Sequence, residues 1–176
     1  MASQESFELF ARSNAQMLHR TAWLLCRDRH TAEDLVQETL AKVFVKWRDK
    51  ATIDNPAAYA RTTLVRLFIS TRRRRSATEV ISDDPTQGHP IPGPYGFTTQ
   101  ADPALDVADT MALHRAMSEM SPKDQAVLVL RYFGDQSVAD TSTAMGISEA
   151  AVRTRTHRAL GRLRLQLGSD FLVLAK

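Results

Sequence analysis

The sequence predicts an all-α protein made of two small helical domains that a flexible linker joins. Apolar residues make up 43% of the 176 residues and aromatic residues only 7%, so Leu, Val and Ala dominate, which favours helices over sheets. Residues 85–103 hold five of the seven prolines and three of the seven glycines. Apolar side chains recur at helical spacing on both sides of this segment. We therefore expect domains at 1–75 and 104–176, with a linker at 76–103.

Three helices are predicted in the first domain. Residues 5–26 carry apolar side chains at helical spacing. Thr31 is expected to cap a second helix, whose apolar stripe ends at Trp47. Asn55 followed by Pro56 marks the start of the third helix, because Asn is a common cap and Pro is favoured in the first turn. The third helix is expected to end in a run of arginines.

Four helices are predicted in the second domain, and their boundaries follow from local start and stop signals. Residues 104–120 form an amphipathic pattern, after which Ser121 and Pro122 indicate a new helix start. The apolar run 126–133 is expected to be helical up to Gly134. A short helix is then expected from Gln136 to Met145, followed by a glycine, a serine cap and a long last helix.

Charge is distributed unevenly along the chain. The net charge is only +3, but residues 76–110 hold six acidic side chains and no Lys or Arg, which leaves +9 on the remainder. Arginine dominates two positive clusters, and its planar fork suits phosphates and base edges. The clusters consist of Arg61, Arg66, Arg72, Arg73, Arg74 and Arg75, and of Arg153, Arg155, Arg158, Arg162 and Arg164.

Several functional classes receive no support from the sequence. Cys26 is the only cysteine, so an internal disulfide and a four-cysteine metal site are excluded, and a buried hydrophobic role is expected. No apolar stretch approaches the ~20 residues of a membrane span, and the N-terminus lacks the basic start and apolar run of a signal peptide. We expect a soluble cytoplasmic protein that binds no membrane, metal or cofactor.

Residues 136–160 have the spacing of a helix-turn-helix. Small Ser142 suits a close helix crossing, Gly146 can adopt a left-handed turn, and Val152 can fill the space between the helices. After the cap Ser148, the second helix presents four polar or basic residues on one face, as suits the DNA major groove. They are Arg153, Thr154, His157 and Arg158. The plainer alternative is a helical hairpin with a solvated basic face.

Residues 32–39 place Asp34, Gln37 and Glu38 opposite the apolar stripe of the second helix. A catalytic carboxylate pair lacks support, since no His, Lys or metal-ligand set accompanies these residues. Judged from the residues alone, an ordinary solvated helix face is the simplest interpretation.

Two segments together resemble a known family. Ala-Glu-Asp-Leu-Val-Gln-Glu-Thr at 32–39 resembles the polymerase-binding segment of extracytoplasmic-function sigma factors, group 4 of the sigma-70 family. Ser-Pro-Lys-Asp-Gln-Ala-Val-Leu-Val-Leu-Arg-Tyr-Phe at 121–133, with the helix-turn-helix after it, resembles their C-terminal DNA-binding domain. Pro-Ala-Ala-Tyr at 56–59 and the arginines at 72–75 fit as well. The likeness covers nearly all of the chain outside the linker. Within the family, the sequence is similar to the small sigma factors of actinobacteria.

The resemblance implies an alternative sigma factor that binds core RNA polymerase and directs promoter recognition and melting. Contacts to the polymerase clamp helices would come from Asp34, Leu35, Gln37 and Glu38. Contacts to the minus-ten element would come from Trp47, Asn55, Arg61, Arg66, Arg72 and Arg73. Contacts to the minus-thirty-five element would come from Ser148, Arg153, Thr154, His157 and Arg158.

The same resemblance implies further partners and one departure. The polymerase flap and promoter DNA are expected partners, an anti-sigma factor is left open as another, and the linker would thread towards the RNA exit path. The family has no catalytic residues and no small-molecule substrate, so the chain is not expected to be an enzyme. Arg66 stands where the family often has asparagine, which favours a phosphate contact over a base contact at that position.

Two other functions compete with that of a sigma factor. A stand-alone helix-turn-helix regulator would bind palindromic duplex DNA without polymerase. An enzyme acting on nucleic acid would need a metal or nucleophile constellation, and the sequence offers none.

Overall fold

A computed structural model describes residues 2–48, 53–78 and 107–168 of the chain. The chain divides into two compact units, and the described residues of each are taken separately below. Within the described ranges every regular element is helical and no strand occurs. The prediction of an all-α protein with two helical units is confirmed, whereas most of the predicted linker, 79–103, lies outside the described residues.

The first unit contains three helices that pack against one another. They are α1 (Ala2–Cys26), α2 (Arg29–Arg48) and α3 (Pro56–Thr78). All three contribute fully buried side chains to a common core: Leu18, Ala22, Val43, Ala60 and Leu64. This core fixes which face of α2 and of α3 remains outside.

The helix starts in the first unit are set by short-range caps. Asn55 Oδ1 accepts a hydrogen bond from the backbone N–H of Ala58 at 3.0 Å, so the predicted cap of α3 is confirmed. The predicted Thr31 cap is wrong, because α2 begins at Arg29. Asp28 has that role instead, with its carboxylate accepting from the Thr31 backbone N–H at 2.7 Å.

The second unit contains four α-helices. They are α4 (Val107–Ser118), α5 (Pro122–Leu128), α6 (Val138–Met145) and α7 (Glu149–Leu167), with a π-helical turn (Val129–Phe133) directly after α5. Ser121 caps α5, as predicted. Ser137 and Asp140 form a capping box that starts α6 two residues later than the predicted Gln136.

The core of the second unit centres on α5 and the π-helical turn. Four side chains of this segment are fully buried, as is Val152 of α7, which packs against α5: Ala126, Val127, Val129 and Leu130. Gln125 is also buried, and its side-chain amide donates to the carbonyl oxygens of Met117 at 2.7 Å and Met120 at 3.1 Å. This polar contact ties the end of α4 to α5.

Two glycines of the second unit give a first prediction, on stability. Gly146 adopts a left-handed backbone with φ of 64°, whereas Gly161 lies inside α7, and a Cβ at either position would meet no atom within 4 Å. Gly146→Ala should therefore destabilise the unit by about 1 kcal/mol, and Gly161→Ala should stabilise it by about 0.5–1 kcal/mol. Urea unfolding of the two variants measures both changes, and shifts of the same sign would contradict the backbone argument.

Candidate nucleic-acid and protein interfaces

The turn between α6 and α7 has helix-turn-helix geometry. Gly146 makes the left-handed turn, and Ser142 Oγ donates to the Ile147 carbonyl at 2.6 Å. Ser148 Oγ accepts from the Ala151 backbone N–H at 3.2 Å and so caps α7. Val152 of α7 is fully buried. The turn therefore holds α7 in a fixed orientation on the unit.

The outer face of α7 carries the predicted base-contacting residues. All four side chains are exposed: Arg153, Thr154, His157 and Arg158. Ala159 and Leu163 are buried on the opposite side, and Leu160 is half-buried. The structure thus brings these four residues together on a convex basic face, as the offsets along the helix predict.

One arginine of the second cluster does not belong to this face. Arg155 Nη1 donates to Asp124 Oδ1 at 2.7 Å, and the Asp124 side chain is only 14% exposed. This ion pair links α7 to the first turn of α5, so Arg155 has a structural contact that the sequence did not reveal.

The predicted polymerase-binding residues of α2 are divided between surface and core. Asp34, Gln37 and Glu38 are exposed. Leu35 is only 6% exposed and faces the core, so it can support the surface from beneath. Glu38 lies 3.8 Å from Lys42 Nζ in an exposed pair, a contact that contributes little stability.

A groove of about 240 Å³ adjoins the exposed carboxylates. Asp34 and Glu38 line one side, and Phe68 and Arg72 of α3 line the other. The remaining lining residues are Cys26, Asp28, Thr31, Leu35 and Thr71. Arg72, predicted for the minus-ten element, therefore lies beside the predicted polymerase surface.

The predicted minus-ten residues do not form one cluster. Successive residues of a helix are about 100° apart, so Arg61 and Arg72 share one side of α3 while Arg66 and Arg73 share another. Arg61 is half-buried, whereas Arg66, Arg72 and Arg73 are exposed. Any contact of all four with DNA requires the strand to curve around α3.

The other two predicted minus-ten residues have roles within the fold. The Trp47 ring packs against Phe10 with centroids 5.1 Å apart and against Phe7 at 5.7 Å, and its Nε1–H donates to Ser6 Oγ at 3.2 Å. Asn55 caps α3. Both residues hold the ends of helices that flank the segment between α2 and α3.

Sequence reasoning missed a shallow depression of about 330 Å³ lined by Lys42, Val45, Lys46 and Tyr59. Val45 contributes an apolar side chain that is 62% exposed. A lining that combines an aromatic ring with two lysines suits an unpaired base and its phosphates. The signal available in the sequence was the spacing of four between Lys42 and Lys46, which puts both on one face.

Metal chemistry and membrane insertion find no support in the described residues. Across 2–48, 53–78 and 107–168, no group of three or more His, Cys, Asp or Glu is placed to hold a metal ion. No helix in those ranges is long and apolar enough to cross a membrane. Burial lowers the pKa of half-buried His19, with Glu33 opposing the shift and Arg29 adding to it.

Comparison with known proteins identifies the family. Residues 10–78 match the family model of sigma-70 region 2, and residues 110–163 match that of sigma-70 region 4. An RNA polymerase sigma-E factor of Streptomyces antibioticus is 33% identical over 161 residues, which is 92% of this chain and 84% of that protein. The chain belongs to the sigma-70 family of RNA polymerase sigma factors.

Two further relatives agree with this assignment. The ECF RNA polymerase sigma factor SigL of Mycobacterium tuberculosis is 31% identical over 158 residues, covering 88% of this chain and 84% of that protein. The sigma factor RpoE of Bartonella quintana, solved in complex with the anti-sigma factor NepR, is 25% identical with a TM-score of 0.72. That match covers 94% of this chain and 99% of the solved chain.

The identified family confirms the function that the sequence predicted. The chain is an alternative sigma factor. It binds core RNA polymerase and promoter DNA in transcription initiation. Its resemblance to actinobacterial extracytoplasmic-function members is confirmed as well. Matches to both region 2 and region 4 argue against the stand-alone regulator, which needs only a helix-turn-helix.

Proposed function

We propose that this sigma factor divides its work between its two units. The first unit docks on core polymerase through α2 and engages the melted minus-ten element through α3. The second unit recognises the minus-thirty-five element through α7. The observation that carries the proposal is the exposed face of α7, whose start is capped by Ser148 and whose opposite side is buried. This face consists of Arg153, Thr154, His157 and Arg158.

The polymerase contact is assigned to the exposed side chains Asp34, Gln37 and Glu38. Leu35 acts indirectly, because its burial holds this turn of α2 on the core. Carboxylates flanking a groove suit a basic side chain of the polymerase clamp, since charge complementarity both steers encounter and fixes register. The polymerase supplies the chemistry, so we assign no catalytic activity to this chain and place its work in the cytoplasm.

The minus-ten contact is assigned to two parts of the first unit. Arg66 and Arg73, on one side of α3, would hold the strand backbone, while the depression around Tyr59 would take an unpaired base. Unstacking a base step costs a few kcal/mol, and stacking on an aromatic ring with lysines nearby offsets part of that cost. Trp47 and Asn55 support this site by fixing the adjoining helix ends.

The minus-thirty-five contact is assigned to α7 and its cap. Ser148 lies at the positive end of the helix, where phosphate oxygens are favoured. Arg153 and Arg158 are five residues apart and exposed, so both can reach base edges, where arginine pairs with guanine in bidentate fashion.

An anti-sigma factor is the further partner that we propose. The Bartonella quintana relative is solved as a complex with the anti-sigma factor NepR. Both units of this chain expose large apolar side chains that a protein partner can cover, including Val45, Tyr132, Phe133 and Leu165.

Transcription from a promoter pool tests the assignment of α7. Core polymerase with this sigma factor is given promoters with randomised upstream elements, and the transcripts are sequenced. Arg153→Ala and Arg158→Ala should each relax preference at a base pair by about 1–3 kcal/mol. Arg115→Ala, which removes an exposed arginine from α4, is the matched control. An unchanged ranking in both α7 variants would show that another element recognises the upstream sequence.

A further inference from the structure

The base-contacting face of α7 contains one acidic side chain. Glu149 is the only Asp or Glu of α7, and it lies in the first turn, where a helix-turn-helix commonly approaches base edges. Its Oε2 accepts a hydrogen bond from Arg153 Nη2 at 2.7 Å. The Arg153 side chain is 63% exposed and the Glu149 side chain 47%. A carboxylate at this place is unfavourable for DNA binding in general, since phosphates line both sides of the groove.

Glu149 is not needed as a cap. Ser148 Oγ already accepts from the Ala151 backbone N–H and fills the capping role. The acid does gain from the helix dipole, but an uncharged residue in the first turn would cost only about 0.3–1 kcal/mol. Helix stability alone therefore does not account for the contact between Glu149 and Arg153.

We propose that Glu149 is a positioning residue that determines specificity at the base pair contacted by Arg153. This inference rests on the proposed function of α7. Glu149 holds the Arg153 guanidinium in one orientation before DNA arrives. Arginine has five N–H donors and Nη2 carries two of them, so the ion pair leaves donors for the O6 and N7 atoms of a guanine. An arginine that is already ordered loses less side-chain freedom when that contact forms.

The same carboxylate penalises sites without the matching guanine. At such a site the only favourable contact open to Arg153 is with a phosphate. To reach the phosphate, the Arg153 side chain must either break its ion pair with Glu149 or bring Glu149 close to the phosphate. Either change costs free energy, because the acid loses its partner or is repelled. Glu149 thus lowers affinity for all DNA, but it lowers affinity for mismatched DNA more.

Two variants of Glu149 separate this role from simple repulsion. Glu149→Gln removes the charge and keeps the size, whereas Glu149→Asp keeps the charge but shortens the reach to Arg153. In the holoenzyme with the randomised upstream pool, both variants should reduce preference at the Arg153 base pair by about three-fold, within the range of exposed ion pairs. Only Glu149→Gln should also raise overall affinity. Thermal unfolding of the two variants checks that helix stability is not the cause.

The Arg153→Ala background decides whether Glu149 acts through Arg153. In that background Glu149→Gln should no longer alter preference at the same base pair. An undiminished effect there, or an even change across all sequences in the original background, would overturn the inference. If Arg153→Ala alone leaves the ranking unchanged, the proposed function of α7 fails. If Arg153→Ala changes the ranking and neither Glu149 variant does, only the present inference fails.

Discussion

Binding to core RNA polymerase should weaken on the order of 100-fold or more when the charge of two α2 side chains is reversed by Asp34→Lys together with Glu38→Lys. Two like charges then face the basic surface that the acids are proposed to meet, and such juxtapositions cost several kcal/mol. The fold should survive. Both side chains are exposed, and the Glu38–Lys42 contact at 3.8 Å is a surface pair of little stabilising value.

The matched control is Glu5→Lys together with Glu8→Lys, which makes the same change in net charge on exposed positions of α1. Binding is measured by titrating labelled sigma factor with core polymerase at two salt concentrations, and helical content is checked by circular dichroism. If the α1 variant loses as much affinity as the α2 variant, the effect belongs to net charge. Unchanged binding of the α2 variant would rule out this surface as the docking site.

Helix starts were predictable where the signal is local. Asn55, Ser121 and Ser148 each precede a helix and accept a backbone hydrogen bond three residues on, an interaction that short sequence windows capture. Asp28 was missed in favour of Thr31, because two capping residue types stand three positions apart and both fit the pattern. Only the hydrogen bond from the Thr31 backbone to the Asp28 carboxylate distinguishes them.

The π-helical turn was not predictable, because contacts beyond it set its form. Gly134 N–H donates to the Val129 carbonyl and Gln136 N–H to the Leu130 carbonyl, five and six residues back. The Arg131 guanidinium also donates to the Gln136 carbonyl. The apolar run itself fits a regular helix equally well, so the period of the pattern carries no information about this change.

The candidate interfaces were predictable only in part for the same reason. Offsets along one helix predict that Arg153 and Arg158 share a face, and the structure places both outside. The sequence cannot show that Arg155 pairs with Asp124, 31 residues earlier. Nor can it show that Trp47 packs on Phe7 and Phe10. Long-range packing decides which side chains of a cluster remain available to a partner.

Gln125→Met should destabilise the second unit by about 2–3 kcal/mol while leaving the first unit intact. The substitution nearly conserves volume but removes the donor shared by the Met117 and Met120 carbonyls, at a position only 1% exposed. A folded unit of this size has about 3–9 kcal/mol in total. Losing about a fifth or more of it should populate open forms of α4 and α5 and so misplace α7, which packs on both helices.

The effect of Gln125→Met on function follows from the separate roles proposed for the two units. The variant should still bind core polymerase through α2, yet it should lose most of its preference among upstream elements, because the helix that presents Arg153 and Arg158 is no longer held. Hydrogen exchange on the full chain should show faster amide exchange across 107–168 and unchanged exchange across α1 and α2. Gln16→Met, the same substitution at an exposed glutamine of α1, is the control and should match the unaltered protein. Unaltered amide protection in 107–168, or upstream preference that survives the loss of protection, would show that α7 does not depend on this buried contact.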